Sequence, residues 1–207
     1  MNASGRPRVA GVVLAAGRSS RMDSRNKLVE SAGGKTIIAR VAERAIASGA
    51  DPVVVVTGFE ADRIEDALQG LAVTVAHNSA FAEGMSTSIR TGVRVLPPDC
   101  DAALILLGDM PEIEGRDLEA LLTAFAQKGR DAICIPMRGG RRGNPVLWGA
   151  SYFDEMMQIG GDRGAKGLIA KYEQHVVEVP VASDGIFADV DTPEDLARLK
   201  TKAGEKS

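Results

Sequence analysis

Arg21 and Lys27 lie just beyond a glycine turn, Leu14-Ala15-Ala16-Gly17, that closes a short apolar run starting at Val9. A strand that empties into such a turn aims successive backbone N–H groups at one anion, while an arginine adds a bidentate fork and a lysine a point charge. Together they suit a polyphosphate. Neither common phosphate motif explains the segment. The chain has no G-x-x-x-x-G-K-[ST] string, and Gly17 to Met22 holds only the first glycine of G-x-G-x-x-G.

A second set of residues offers the counterpart to those cations. Ala102-Ala-Leu-Ile-Leu-Leu-Gly-Asp-Met-Pro111 is an apolar strand with Asp109 at its exit, and in open α/β sheets ligands bind at the carboxyl ends of the strands. A carboxylate beside a triphosphate points to Mg2+, which is usually held by one or two carboxylates together with phosphate oxygens and water. Asp109 is the first candidate metal ligand. Asp189 and Asp191, two apart in Phe187-Ala-Asp-Val-Asp-Thr192, share a face if the run is extended. Asp189 is the preferred second ligand, because Asp191 adjoins Thr192 and is available to organise the start of a helix. Thr192, Pro193 and Asp195 read as an N-cap, a proline at the first helical position and an N3 acid.

The elements that must position these residues alternate between short apolar runs and helical patterns, which implies a parallel sheet with crossover helices. Strands are expected at Val9–Ala15, Val53–Thr57, Val73–Ala76, Ala102–Leu107, Ala132–Pro136, Val146–Trp148, Val176–Val179 and Ala188–Val190. Three stretches carry one apolar helical face: Ile38 to Ala45, Ile64 to Leu71 and Leu118 to Phe125. A further short helix is expected from Lys166 to Tyr172. The fold class is α/β, Rossmann-like and layered, with a mostly parallel central sheet. At 207 residues, with no dividing linker, the chain reads as one domain with residues 1–8 and 203–207 flexible.

Composition excludes several other functions. A net charge of -3 gives no global basic field for nucleic acid, and the Arg138, Arg141 and Arg142 group reads as a solvated turn or a small-anion contact. Cys100 and Cys134 are isolated from each other, which argues against a metal pair or a redox dithiol. No apolar run approaches the roughly 20 residues needed to span a bilayer, so a cytoplasmic location is expected. His77 and His175 have no motif around them.

Taken together, the opening segment, Gly108-Asp-Met-Pro111 and Asp189-Val-Asp-Thr-Pro-Glu-Asp195 resemble, in order, the MobA-like nucleotidyltransferases, the molybdenum cofactor cytidylyl- and guanylyltransferases among them. That resemblance implies phosphate contacts by Arg21, Lys27 and the backbone from Leu14 to Gly17, and a Mg2+ ligand at Asp109. Asn78-Ser-Ala-Phe-Ala-Glu-Gly-Met-Ser-Thr-Ser88 resembles the family segment near base and ribose, with Asn78, Gly84, Met85, Ser86 and Ser88 at the matching positions. Read without the family, Ser86 is a candidate helix N-cap. Gly143, Asn144, Pro145, Asp162 and Gly164 match segments on the acceptor side. The implied reaction transfers a nucleotide from a nucleoside triphosphate to a phosphorylated pterin, with a molybdoenzyme or its chaperone as a further partner. Alternatives from other classes are a nicotinamide-dependent oxidoreductase and a non-catalytic pterin-binding module.

Two departures from the family pattern bear on the site. Asp23 stands where glycine is usual, and Lys27 follows Arg21 by one residue more than is common. Asn144 replaces the histidine frequent in cytidylyl members, which removes a group that would titrate near neutrality. Leu-Ala-Ala-Gly17 resembles the cytidylyl pattern more than the Leu-Ala-Gly-Gly of guanylyl relatives, so CTP is the expected donor. On this reading the methyl of Ala16 limits the approach of a purine.

Overall fold

The computed structural model describes residues 6–18, 26–161 and 164–204. Its centre is built from runs too apolar to face water on either side. Val9–Ala15 forms β1, Ser31–Ala32 and Lys35–Thr36 form a small hairpin of β2 and β3, and Ile37–Ala47 is α1. Val53–Thr57 is β4, Ala61–Ala67 α2, Thr74–His77 β5, Met85–Arg94 α3, Ala102–Leu107 β6 and Gly115–Lys128 α4. Ile133–Arg138, Arg141–Arg142 and Val146–Gly149 are β7 to β9, followed by α5 (Phe153–Met156), α6 (Lys166–Lys171), β10 (Val176–Pro180) and α7 (Pro193–Gly204).

The main sheet runs in the order β10-β7-β9-β6-β1-β4-β5, with β8 paired to β7. β1 lies parallel to both β4 and β6, while β9 is antiparallel to β6 and β7. From β1 the chain builds outward through β4 to β5, then returns to the other side of β1 as β6. That reversal makes the carboxyl ends of β1 and β6 a topological switch point, where such sheets bind ligands.

Side-chain alternation along β1 sends Val13 to one core and Val12 to the other. The first core lies under α1, α4 and α7 through Ile38, Val41, Leu118, Leu121, Leu196 and Leu199. The second lies under α3, α5 and α6 through Ile89, Val93, Met156 and Leu168. Gly92 lets α3 come down on β1, since a Cβ there would lie 2.4 Å from Val12 Cγ1. The result is the layered, mostly parallel α/β sandwich that the sequence predicts.

Several boundaries differ from expectation. No strand forms at 188–190; a 3-10 turn over Asp184–Phe187 precedes that stretch, and Val190 N–H donates to Asp109 O at 2.9 Å rather than to a ladder. Two acidic residues flank Val190, which leaves the segment too polar for the core of a sheet. α2 stops at Ala67, short of Leu71, and α7 continues through Gly204, past the expected start of the tail. Arg8 is held by Asp99 at 2.7 Å and its N–H donates to Asp101. Ser86 is not an N-cap: Gly84 (φ 109°) takes that place and Ser86 is buried within the first turn of α3.

The start of α7 matches the capping box read from the sequence. Asp195 Oδ2 accepts from the N–H groups of Asp191 and Thr192 and from the Thr192 hydroxyl, while Asp195 N–H donates back to Thr192 Oγ1 at 3.2 Å. Burial pushes the Asp195 carboxyl up, but these bonds and Arg198 outweigh it and hold the group below its usual range. Its contribution to stability is therefore complete above the unfolded carboxylate pKa and is lost as pH falls through the folded one. Asp195→Ala is expected to cost about 1 kcal/mol at neutral pH, read as a lower denaturation midpoint, with the difference from wild type shrinking in acid. An undiminished difference at pH 3 would contradict the cap's ionic character.

Candidate active site

Gly108 fixes the approach of the β6 exit to the β1 exit. Its N–H donates to Leu14 O at 2.9 Å, and a Cβ would lie 2.7 Å from that oxygen. No side chain fits between them. Asp109 follows directly, and its own carbonyl takes the Val190 N–H. Asp189 and Asp191, the residues on either side of Val190, are thereby tied to the end of β6.

Lys27 enters the same space from the other side. Asn26 caps the 3-10 turn Lys27–Val29 by accepting the Leu28 N–H on Oδ1 at 3.2 Å, which turns the lysine inward. Lys27 Nζ donates to Asp109 Oδ2 and to Asp191 Oδ1, each at 2.7 Å, across sequence separations of 82 and 164. The Lys27 side chain is 11% exposed, against 23% and 33% for the two aspartates. Burial lowers the lysine's affinity for its proton, but Asp109 and Asp191 outweigh that and hold it above its ordinary value. The extra loop residue has not carried Lys27 away from Asp109.

The carboxylates differ in what they do. Asp191, read from the sequence mainly as an organiser of the helix start, is the one paired with Lys27, while its backbone N–H goes to Asp195. Asp189, the preferred second ligand, is exposed as a residue, yet its carboxyl is partly desolvated; that desolvation, then the negative charges of Asp191 and Asp109, push the carboxyl up. Asp109 Oδ1 is buried with no hydrogen-bond partner. An orphaned carboxylate oxygen, a cation already lying between two carboxylates and an all-oxygen donor set fit a hard divalent ion. Among the described residues no group of three or more His, Cys, Asp or Glu side chains forms a metal cage.

The remaining candidates fall into two groups around this centre. Asn78 is buried and its amide is fully engaged, donating to Thr87 Oγ1 at 2.8 Å and Ser88 Oγ at 3.0 Å and accepting from Ala80 N–H. It braces the loop ahead of α3. Ser86 Oγ is buried without a partner, and Met85 is exposed. Gly164 packs on Met85, and Ser86 N–H donates to Gly161 O at 3.2 Å, so the segment around Gly161 and Gly164 touches the start of α3. Gly143 and Asn144 lie elsewhere, against Ile186: a Cβ on Gly143 would be 2.6 Å from Ile186 O, and Asn144 N–H donates to that oxygen. Pro145 follows them into β9. Arg21, Arg25 and Asp162 lie outside the described residues.

Ala16 carries a correction. Its methyl is buried, and a Cβ on Gly58 would lie 2.8 Å from it, so the methyl faces Gly58. The methyl is thus turned into the fold and not outward, contrary to the expectation that it stands exposed to a base. Sequence reasoning misses Asn26, although an Asn beside a motif lysine signals a cap; its Nδ2 is also buried and unpartnered. Cys134 is buried and its thiol is pushed up to about 11 by that burial, which leaves it a poor nucleophile. His175 contacts the Tyr152 hydroxyl at 2.6 Å and His77 lies 3.4 Å from Thr57 Oγ1, both away from this centre.

A glycine turn, a buried lysine and two carboxylates thus meet at the switch point of the sheet. The sequence profile of the MobA-like NTP transferase domain matches residues 11–176, and the chain belongs to that family. It is similar to the molybdenum cofactor cytidylyltransferase of Escherichia coli K12, 23% identical over 195 residues, covering 94% of this chain and 96% of that protein. It is also similar to the bifunctional protein GlmU of Anaeromyxobacter dehalogenans, 32% identical over 131 residues; the match takes in 61% of this chain and only 27% of GlmU. A nucleotidyl transferase from Methanothermobacter superposes with a TM-score of 0.84 at 24% identity, covering 97% of this chain and 99% of that one. Among the described residues no helix is long and apolar enough to cross a membrane.

The raised Asp189 carboxyl has a thermodynamic consequence. Stability linked to its proton is present below the unfolded carboxylate pKa and is lost as pH rises through the folded value. Asp189→Asn is therefore expected to melt no lower than wild type at neutral pH, with the two converging in acid. A lower melting temperature at pH 7 would show that the charge is needed for folding.

Proposed function

We propose that the chain transfers CMP from CTP to the terminal phosphate of molybdopterin or its molybdenum-bearing form and releases pyrophosphate. The observation that carries this reading is the meeting of Lys27 with Asp109 and Asp191 beside the Leu14–Gly17 turn. The match to a molybdenum cofactor cytidylyltransferase along nearly the whole chain supports the acceptor, and Leu-Ala-Ala-Gly17 supports CTP over GTP.

In this reaction an oxygen of the acceptor phosphate attacks the α-phosphorus of CTP. The bond from that phosphorus to the oxygen bridging to the β-phosphate breaks, and its electron pair leaves with pyrophosphate. The attacking oxygen is already ionised, so no enzyme nucleophile is required. Arg21 and Lys27 draw charge toward the departing pyrophosphate, and the backbone from Leu14 to Gly17 orients the phosphates. The Gly84–Ser88 segment, braced by Asn78, holds the nucleoside, while the family resemblance assigns the acceptor to Gly143, Asn144, Pro145, Asp162 and Gly164. Asp109, with Asp189 or Asp191, would hold Mg2+, which when bound neutralises phosphate charge and aligns the oxygens. Catalysis is positioning and electrostatics.

The test is pyrophosphate release with CTP, GTP, ATP and UTP, each with and without molybdopterin. CTP is expected to lead and to need the acceptor, and Asp109→Asn, its fold checked by circular dichroism, to lose activity on the order of a hundredfold or more. A preference for GTP would replace the cytidylyl assignment with a guanylyl one. Near-normal turnover by Asp109→Asn would remove Asp109 from the site.

A further inference from the structure

Lys27 has two claims on one ammonium. In the structure its Nζ bridges Asp109 Oδ2 and Asp191 Oδ1 at 2.7 Å each, the place between carboxylates that suits a divalent ion. The same group is wanted on the triphosphate. An ammonium has three N–H donors in a compact head, and with two directed at carboxylates it is not positioned to grip a phosphate chain as well. Asp109 Oδ1 meanwhile stays buried and unpartnered, so the lysine satisfies only one of that carboxylate's two oxygens.

We propose that Lys27 is an exchangeable counter-ion that keeps the divalent-cation seat at Asp109 and Asp191 closed until a triphosphate draws its ammonium away. This rests on the reading of those carboxylates as the metal seat. Removing the ammonium with nothing in its place would take away the positive charge that bridges Asp109 and Asp191, and bringing in a divalent ion with the ammonium still there would crowd two cations. Each move becomes favourable with the other. Divalent cation and triphosphate therefore bind cooperatively, and the nucleotide-free protein takes up the free ion poorly.

Mn2+ is a suitable probe, with unbound ion counted by electron paramagnetic resonance in solutions of the full chain. Without nucleotide, Lys27→Met is expected to bind Mn2+ at least tenfold more tightly than wild type, and adding Asp109→Asn is expected to abolish the gain. CTP binding, measured separately by calorimetry, should weaken at least tenfold in Lys27→Met. Equal Mn2+ affinities in folded wild type and Lys27→Met would overturn the inference, as would a gain that survives Asp109→Asn. Should Lys27→Met not fold alone, Mn2+ is expected to restore its cooperative melting, and failure to do so counts against the exchange. If wild type binds neither CTP nor GTP, the nucleotidyl-transfer reading itself fails; if it binds either one but the variant gains no Mn2+ affinity, only the exchange fails.

Discussion

The placement of one ammonium between two carboxylates organises this end of the molecule. Burying a charge is costly, and Asp109 and Asp191 both offset that cost by reaching Lys27. Loss of one partner from a buried pair commonly costs about 3–5 kcal/mol, since it leaves an uncompensated charge behind. Three distant parts of the chain are therefore bound to fold together: the turn after β1, the exit of β6 and the approach to α7.

The rest of the architecture serves that meeting. β1 and β6 are neighbours in register, Val9 opposite Ala102 through Leu14 opposite Leu107, so their exits leave the sheet at one level. Gly108 removes the side chain that would hold those exits apart. The Val190 N–H to Asp109 O bond and the Asp195 cap then fix the third segment. Among the described residues, three of the four buried side-chain atoms without a hydrogen-bond partner belong to Asn26, Ser86 and Asp109. Such groups are expensive in a finished core and make sense where a ligand completes them.

Much of this is legible in the sequence, and the exceptions have physical causes. β1, β4 and β6 are continuous apolar runs covered on both faces, so their limits can be read directly. The β2–β3 hairpin has two-residue strands, too short to show a period. The 188–190 stretch alternates like a strand, but no neighbouring strand takes its N–H groups. Asp189 and Asp191 are equivalent to any period-two argument; only the folded chain shows that Asp191 faces Lys27. Ala16 reads as a base-contacting methyl because sequence does not reveal Gly58 behind it. Asn78 has the right residue type for a ligand contact, yet its donors are used on Thr87 and Ser88 in the first turn of α3.

The central claim is that the site moves a nucleotidyl group, not a phosphoryl group or a hydride. Incubating the protein with CTP labelled with 32P at the α-phosphate, molybdopterin and Mg2+, then separating the products, tests it directly. The label is expected in the pterin product, with unlabelled pyrophosphate released in equal amount. Label recovered only in CTP or in free CMP, with none on the acceptor and none transferred from α-labelled GTP in a parallel incubation, would contradict it.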